Sequence, residues 1–473
     1  MPSLLILLDF ALGCVAVYVI QQLFTRKPTP GTYPPGPKPL PWIGNVLDIP
    51  TTQQWLTFAH WGDIYGDVMS VTVFGQRIVI LNSARAAVDL LEKRGAKYAG
   101  RPYLTAAGEM MGWDQSLVLN QYTDRFRGMR RMLHQFMGSR THVTRFYGIE
   151  EEETRRFLRH VMNYPENLSE HIRRNAGAII LKLGYGHEAE EGQDPLIDLV
   201  DRAVQGFIYA TSPGAFLVDT IPALQYIPSW FPGAGWKKQV RTWRKETQAM
   251  IDIPYDTAKS KFANHTPEVP NFVALNGPNV NTSEQDFITR GAASALYSGG
   301  ADTTVSAIYS FFLAMTLYPE IQKKAQAELD AVVGSDRLPS FEDKENLPYI
   351  CALCSEVIRW MPVGPMETYS DPMSFKPERF LPAQGKPEPD PRSFAFGFGR
   401  RICPGLHLAE ASIFISCAMA LAAFSITKAV VDGKEVTPVA ESCDGTISHP
   451  KPFQCSIKPR SAKAQALVLA END

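Results

Sequence analysis

Apolar residues recur mainly at helical spacing along this chain of 473 residues. Between about residues 50 and 280 the pattern is chiefly helical, and one early run, residues 67–81, has the composition of β-strands. No proline occurs over residues 283–317, which allows a helix of about 35 residues with Ser283 as its N-cap. Residues 406–424 form a second, almost wholly apolar helical pattern. The patterning therefore predicts a mainly α-helical fold with a small β portion.

The N-terminus is predicted to anchor the chain in a membrane. Residues 4–24 are mostly apolar, and 21 helical residues span about 30 Å, the thickness of a bilayer core. Arg26 and Lys27 follow the apolar run, which predicts a cytoplasmic position for the rest of the chain. Asp9 interrupts the run near one end, where a carboxylate reaches the headgroup region. A cleaved secretory signal is the alternative.

Residues 1–25 are thus predicted to be an anchor and residues 26–47 a proline-rich hinge, with a generic linker as the alternative for the hinge. The length would ordinarily suggest about three domains. However, no linker-like, low-complexity or repeated stretch divides the chain after its first fifty residues. We therefore predict one large domain over residues 48–473.

Charge and cysteine content restrict the possible partners and the cellular environment of the protein. A net charge of −2 and a pI near 6.5 give no polyanion-binding character, so nucleic acid is not an expected partner. Seven cysteines without a disulfide-framework spacing favour reduced, cytosol-facing thiols. Cys351 and Cys354 form a C-x-x-C within a helical pattern, where a redox motif is the less favoured interpretation. Sequons begin at Asn167, Asn264 and Asn281, and glycans on them would contradict the predicted topology.

The strongest chemical signal is a glycine-rich loop that holds one cysteine, Phe396-Gly397-Phe398-Gly399-Arg400-Arg401-Ile402-Cys403-Pro404-Gly405. Its glycines permit backbone conformations that a Cβ forbids, and its two arginines and the start of the next helix favour an anionic sulfur. Cys403 is therefore predicted to be a thiolate. A thiolate is able to act as a nucleophile, a zinc ligand or a haem ligand, and only His407 lies nearby in the sequence.

The middle of the long predicted helix carries Gly299-Gly300-Ala301-Asp302-Thr303-Thr304. Two glycines weaken a helix interior by about 1 kcal/mol each relative to alanine, which suggests a distortion with a function. A widened turn would leave a backbone carbonyl and the Thr303 hydroxyl free to hold water, with Asp302 linked to a proton supply. The alternative is that the glycines mark a close contact between helices.

Three motifs together resemble those of the cytochrome P450 family. Its haem-binding signature, Phe-x-x-Gly-x-Arg-x-Cys-x-Gly, is similar to the order of Phe396, Gly399, Arg401, Cys403 and Gly405. Its oxygen-activation motif, Ala/Gly-Gly-x-Asp/Glu-Thr-Thr, is similar to residues 299–304. Its Glu-x-x-Arg helix and Pro-Glu-Arg-Phe tetrapeptide are similar to Glu356, Arg359 and residues 377–380. The sequence is identified as a member of this family over about residues 30 to 460.

The resemblance implies the cytochrome P450 fold and a haem cofactor with Cys403 as the axial ligand of its iron. It implies that Phe396, Gly399, Arg401 and Gly405 build the cofactor-binding loop, and that Arg401 faces a haem propionate. Thr303 and Asp302 are expected to deliver protons during oxygen activation. Glu356, Arg359 and Arg379 are expected to form a buried structural network beneath the haem; from spacing alone, Glu356 and Arg359 would be an ordinary helix-surface pair.

Arg130 is the other candidate cofactor contact. The family pattern Trp-x-x-x-Arg binds a propionate through both residues, and this chain has Phe126 and Arg130. Arg130 offers a charge-assisted fork to a carboxylate, whereas Phe126 has no donor. The alternative for the basic cluster Arg125, Arg127, Arg130 and Arg131 is a solvated helix face.

One interval departs from the family. Glu356 and Glu378 are 22 positions apart, whereas relatives place several tens more residues there. The resemblance implies that part of the β-sheet is missing between Pro365 and Met366, which opens sheet edges. A skipped exon, a truncated isoform and an error in the gene prediction are the alternatives.

Two apolar segments are candidate walls of a substrate pocket. Residues 210–236 are rich in aromatic side chains and form either a lid near a bilayer or ordinary core packing. In the family this region roofs the substrate channel. A turn of the C-terminal tail enters the pocket in relatives, which makes Thr446 and Ile447 candidate contacts.

We therefore expect a haem-thiolate monooxygenase that inserts one atom of O₂ into an apolar small molecule, in fungal secondary metabolism or xenobiotic oxidation. Electrons are expected from NADPH through a separate reductase, because the chain carries no flavin or nicotinamide domain. The enzyme is expected to be a single-pass protein of the endoplasmic reticulum membrane with a cytosolic catalytic domain. An inactive haem-binding isoform and a haem-thiolate isomerase or dehydratase are the alternatives, and the last has no need of Thr303 and Asp302 as proton carriers.

Overall fold

The structure is a computed structural model that describes residues 33–50, 52–263, 267, 270–360, 368–382, 385–443 and 445–470. The predicted membrane anchor, the junction between Pro365 and Met366 and the sequon residue Asn264 lie outside the described residues. Packing divides the chain into two compact units, one up to Ala86 and one from Ala87 onward, and each is described by itself. The predicted boundaries at residues 25 and 47 stay predictions.

The N-terminal unit consists of a helix and a β-hairpin. Helix α1 covers Gln54–Tyr65, and strands β1 (Val68–Val73) and β2 (Gln76–Leu81) pair antiparallel, as the pattern over residues 67–81 predicted. Part of the predicted proline-rich hinge lies along β1. Ser70 donates from its backbone N–H to the carbonyl of Pro35 and from its hydroxyl to that of Pro34, each over 2.8 Å. The described end of the hinge is therefore docked on the hairpin.

The C-terminal unit is built mainly from helices. Its longer helices are α2 (Asp124–Met137), α3 (Tyr147–Asn163), α4 (Leu168–Tyr185), α5 (Pro195–Thr211), α6 (Trp236–Lys261), α7 (Ser283–Leu317), α8 (Pro319–Val332), α9 (Pro348–Trp360), α10 (Leu406–Ala423) and α11 (Ala462–Leu469). One-turn α-helices cover Gly95–Tyr98, Arg140–Val143, Phe272–Asn276 and Arg392–Ala395. Wider π-helical turns cover Val88–Lys93 and Thr105–Met110.

Helix α7 is the centre of this unit. It packs against α2, α4, α5, α6 and α10, and its side chains Phe311 and Phe312 are fully buried. Its length was predicted correctly, but the prediction that Ser283 is its N-cap is wrong. Thr282 has the extended backbone of a cap, and its side chain accepts a hydrogen bond from the Gln285 amide over 3.1 Å.

Helix α10 follows the cysteine loop and is interior. It is the one described helix long and apolar enough to cross a bilayer, with a mean hydropathy of 1.7, but 78% of it is buried in the fold. Its neighbours α3, α7, α8 and α9 supply the apolar surroundings that such a helix needs.

The β portion of this unit is a small antiparallel sheet. Its strands are β3 (Phe424–Val431), β4 (Lys434–Val436) and β5 (Cys455–Pro459), in the order β4-β3-β5. Strand β3 starts where α10 ends and packs against α7. The predicted mainly α fold with a small β portion is confirmed.

Candidate functional site

The cysteine loop is held in place by its glycines. Gly397 and Gly399 have φ values of +75° and +51°, in the left-handed region that glycine occupies without strain. A Cβ on Gly399 would lie 2.3 Å from the carbonyl oxygen of Leu91, so the loop approaches the wide turn Val88–Lys93 more closely than a side chain permits. The amide of Cys403 donates to the carbonyl of Phe396 over 2.7 Å, which closes the loop on itself.

The thiol of Cys403 faces an opening. Protein atoms enclose it closely enough for burial to raise its pKa, and yet the side chain has accessible surface, so it borders open space. The Gly405 amide and Arg130 lower the pKa in part, but burial has the larger effect. The predicted thiolate form of Cys403 stays a prediction. A thiol loses its proton when it coordinates a metal cation, so a bound iron would favour the anionic form.

The two arginines of the loop have partners other than the sulfur, and neither contributes to lowering the pKa of Cys403. Arg400 donates to the hydroxyl of Tyr122 over 2.9 Å. Arg401 donates through Nε to the carbonyl of Ala99 over 2.7 Å and through Nη2 to the carbonyl of Asn120 over 2.9 Å. The loop therefore directs its positive charge toward the segment that precedes α2.

Three cations gather beside the loop. Burial lowers the pKa of Arg401 to about 10, and the nearby Arg101 and Arg130 lower it further. Burial also lowers the pKa of Arg101 and of Arg130. No carboxylate among the described residues forms an ion pair with any of the three, although each stays protonated at neutral pH. Such a cluster has the chemistry of a site for an anionic ligand.

Helix α2 connects this cluster to helix α7. Arg130 donates to the carbonyl of Ile402 in the cysteine loop. A Cβ on Gly405 would lie 3.9 Å from Met137, and a Cβ on Gly291 of α7 would lie 2.3 Å from the end of the Met129 side chain. The helix therefore fixes both the cysteine loop and the central helix through side chains on one side of it.

The Gly299 to Thr304 stretch remains α-helical, so the predicted widened turn is wrong. The Thr303 hydroxyl donates to the carbonyl of Gly299 over 2.8 Å, which satisfies both groups without a distortion. Gly299 and Gly300 differ in their surroundings. A Cβ on Gly300 would lie 2.4 Å from Ile180, so Gly300 is the close helix contact that the alternative interpretation described. Gly299 and Thr303 lie on one face of the helix and are exposed.

Asp302 lies on another face of α7 and is 3% exposed. It pairs with His449 of the C-terminal tail, with 3.0 Å between Oδ2 and Nε2. The structure thus brings Asp302 into contact with a tail residue and does not hydrogen-bond it to Thr303. Nothing local in the sequence indicates this pairing, because 147 positions separate the two residues.

Glu356, Arg359 and Arg379 come together as a buried cluster. Arg359 donates to both oxygens of the Glu356 carboxylate, over 2.6 and 2.8 Å, and Arg379 Nε donates to the same carboxylate over 3.2 Å. The three are at most 8% exposed. The surplus arginine nitrogens donate to the carbonyls of Pro372 and Ser370, over 2.7 and 2.8 Å. The cluster therefore ties α9 to the segment that leads into the cysteine loop.

The other cysteines carry no comparable arrangement. Cys351 and Cys354 are unpaired thiols within α9, and burial raises the pKa of Cys351 to about 12. Among the described residues, no three His, Cys, Asp or Glu side chains are grouped to hold a metal ion, which leaves the zinc interpretation of Cys403 without support.

Fold and site together define a mainly helical protein whose single cysteine loop borders an anion-accepting cluster. The sequence model of the cytochrome P450 family matches residues 34–368 and 366–457. Cytochrome P450 monooxygenase 208 of Postia placenta is 46% identical over 509 aligned positions, which cover all of this chain and 99% of that protein. Cytochrome P450 monooxygenase claR of Ampulloclitocybe clavipes is 41% identical, with 100% and 94% covered. Tryptamine 4-monooxygenase of Psilocybe cyanescens is 36% identical, with 90% and 93% covered.

The chain belongs to the cytochrome P450 family, and with it to the monooxygenase class of oxidoreductases. The family implies a haem-thiolate cofactor, and the residues present fit one. A cysteine facing an opening supplies a ligand for iron, and an arginine cluster without carboxylates supplies partners for the two propionates of a haem. Arg101 and His449 were not predicted from the sequence, because only the folded chain brings them to the site.

Proposed function

We propose that this chain is a haem-thiolate monooxygenase in which Cys403 is the axial iron ligand. One observation supports this proposal most strongly. The Cys403 thiol borders open space, and beside it lie Arg101, Arg130 and Arg401, which form no ion pair with a described carboxylate. When bound, the haem supplies the redox chemistry that activates O₂. Phe396, Gly399 and Gly405 shape the loop that presents the sulfur.

The arginines are proposed to hold the propionates. Arg130 comes from α2 and has donors left beyond its bond to the Ile402 carbonyl. Arg401 is anchored by two backbone carbonyls, which fixes its guanidinium and leaves further N–H groups for an anion. Arg101 adds a third charge. The proposed contact through Arg401 matches the expectation from the sequence, and Phe126 takes a supporting position under that arginine rather than a donor's position.

Thr303 and Asp302 are proposed to carry protons to the reaction. The Thr303 side chain is on an exposed face of α7, and its hydroxyl is able both to donate and to accept. Asp302 is the nearest carboxyl in the chain and is buried on the neighbouring face. Rotation of the Thr303 hydroxyl away from the Gly299 carbonyl would let it pass a proton between the interior of the helix bundle and the open face.

The substrate is proposed to be an apolar small molecule of fungal secondary metabolism or a xenobiotic. In the aromatic segment of residues 210–236, the ring centre of Phe216 lies 5.7 Å from that of Trp236 and 5.9 Å from that of Tyr209. These ring contacts support an apolar wall. Thr446 of the tail meets Thr211 at the end of α5 through their hydroxyls, over 2.5 Å. These contacts support a pocket closed by α5 and the tail turn.

We further propose electron supply from NADPH through a separate reductase, which would dock near the exposed Arg400. We also propose a single-pass anchor in the endoplasmic reticulum membrane with the catalytic part in the cytosol. Tyr226 and Trp230 are each 80% exposed, and aromatic side chains of this kind favour a membrane interface. They support a peripheral contact in addition to the anchor.

The short interval after α9 bears on activity. The family match is split into two pieces that meet at residues 366–368. The alignment with the Postia placenta relative runs over 509 positions against 473 residues here, so at least 36 positions have no counterpart in this chain. Both observations support a segment missing between Pro365 and Met366, and they favour a second candidate function, an inactive haem-binding isoform.

The test is the carbon monoxide difference spectrum of the reduced protein, expressed as written and with the interval restored from the Postia placenta relative. A thiolate-type band near about 450 nm from the chain as written supports the monooxygenase. The band in the restored chain alone supports the inactive isoform. Cys403→Ala in either version is the control, and a thiolate-type band that survives it overturns the assignment of the ligand.

A further inference from the structure

His449 is the single described partner of the Asp302 side chain. The two side chains are 3.0 Å apart and are 17% and 4% exposed, and the direction of the hydrogen bond depends on the imidazole tautomer. The second oxygen of the carboxyl, Oδ1, is buried and has no hydrogen-bond partner among the described residues. Because a buried carboxylate oxygen without a partner is costly, this atom calls for a proton or a water.

A small cavity adjoins this carboxyl. It is lined by Asp302 together with Arg173 of α4 and Asp201 of α5, and it has room for about one water molecule. Arg173 and Asp201 form an ion pair over 3.4 Å. Burial raises the pKa of Asp201, and among its neighbours Asp302 and Asp198 raise it while Arg173 and His449 lower it. Asp302 therefore belongs to a mixed-charge cluster from three helices and the tail.

The tail turn that carries His449 is anchored independently of the imidazole. The Ser306 hydroxyl of α7 donates to the carbonyl of Ser448 over 2.5 Å. Gly445 has a φ of +144°, and a Cβ there would lie 2.9 Å from Ile208 of α5. The position of His449 next to Asp302 is thus imposed by the backbone of the turn, so its side chain is available for a task other than docking.

We propose that His449 positions the Asp302 carboxyl and returns protons to it, and this rests on the proposed proton-carrying function of Asp302. When Asp302 gives its proton toward Thr303, a carboxylate remains. The Nε2–H bond of a His449 imidazolium then breaks and an O–H bond forms at Oδ2 of Asp302, which leaves a neutral imidazole. The partly exposed ring recovers a proton from solvent. Histidine suits this task because its charge changes near neutral pH.

The pairing is tested without turnover by a double-mutant cycle. Asp302→Asn, His449→Gln and the double variant are compared with wild type by thermal unfolding of the full-length holoprotein. We expect the shift in Tm of the double variant to be clearly smaller than the two single shifts added together, because either single change already removes the pair. Additive shifts overturn the pairing.

The proton role is tested by two oxidants. With NADPH, the reductase and O₂, each turnover consumes protons, whereas an organic hydroperoxide supplies oxygen that is already reduced. The probe is the first member of a panel of apolar alkoxycoumarins that wild type oxidises. We expect His449→Gln to lose about 10-fold or more of the NADPH-driven rate, while the cumene hydroperoxide rate is retained.

Ser306→Ala is the matched control, because it weakens the docking of the same turn and carries no titratable group. It is expected to keep both rates. Equal losses in both variants, or a wild-type NADPH rate in His449→Gln, overturn the role of His449. If wild type oxidises no probe with either oxidant, the proposed function itself fails, and the proton role of His449 fails with it.

Discussion

The guanidinium carbon of Arg401 lies 3.8 Å from the centre of the Phe126 ring. Phe126 is 2% exposed and also contacts Tyr122, with 5.4 Å between the ring centres. A cation over an aromatic face is stabilised by the ring quadrupole. The residue that lacks a hydrogen-bond donor therefore still serves the cationic cluster, as the surface on which Arg401 rests.

Phe126→Leu tests this support. The change keeps an apolar side chain but removes the aromatic face, so we expect unfolding free energy to fall by about 1–2 kcal/mol and haem to be released more readily. Phe126→Trp adds the missing donor but overfills a buried site, and we expect it to cost about 1–3 kcal/mol as well. Urea unfolding and the haem content after gel filtration measure both. A Trp variant that is more stable than wild type would contradict this account.

Gly399 and Gly397 form a matched pair in the cysteine loop. Gly399→Ala introduces both a strained φ and a Cβ 2.3 Å from the Leu91 carbonyl, whereas Gly397→Ala introduces the strained φ with its nearest contact at 3.8 Å. We expect Gly397→Ala to cost about 1–2 kcal/mol and Gly399→Ala clearly more, because backbone has to move. Thermal unfolding of the two variants compares them directly, and equal losses would show that the approach to Leu91 is unimportant.

Glu150 makes stability depend on pH. Its carboxyl is fully buried in α3, neither oxygen has a hydrogen bond of ordinary geometry, and burial raises its pKa to about 8, with Ser412 lowering it in part. A raised pKa in the folded state means that the unfolded chain loses this proton first. The contribution of Glu150 to stability is therefore fully present below about pH 4.5, and it is lost as the pH rises through about 8.

Glu150→Gln removes this ionisation and keeps the shape of the side chain. We expect the free energy of unfolding of the variant to rise relative to that of wild type between pH 5 and 9. The difference reaches up to about 5 kcal/mol if the whole pKa shift of Glu150 contributes to stability. Guanidinium unfolding across that pH range measures the difference. Parallel stability curves for the two proteins would rule out the buried neutral carboxyl.

We predict that the stability of the fold depends strongly on the carboxylate of Glu356. Glu356→Gln leaves Arg359 buried without a counter-charge, whereas Arg379 keeps its ion pair with Glu388, and removal of one partner from a buried ion pair costs about 3–5 kcal/mol. Asp330→Asn, which breaks the more exposed pair with Arg460, is the control and costs about 0–1 kcal/mol. Similar urea midpoints for the two variants would contradict the structural weight given to Glu356.

Features encoded by neighbouring residues were predictable. The bounds of α7 follow from the proline-free stretch over residues 283–317, and the cysteine loop follows from glycine positions that no side chain tolerates. Contacts between residues that are distant in the sequence were not predictable. Arg401 is 302 positions from its partner Ala99, and the Thr303 hydroxyl has a choice between water and a carbonyl that spacing does not decide. The partners of the two loop arginines, Tyr122 for Arg400 and the carbonyls of Ala99 and Asn120 for Arg401, were unpredictable for the same reason.

The ion cluster at the end of α9 also fixes where the chain leaves and returns. Arg359 holds the carbonyl of Pro372 over 2.7 Å, and the indole of Trp360 holds that of Met373 over 2.9 Å. The two flanks of the short interval are thereby clamped to one helix end, whatever the length of chain between them. Doubling the length of a flexible loop costs only about 0.6 kcal/mol in closure entropy. Because α9 holds both flanks, chain of a different length is accommodated between them at a small cost in stability.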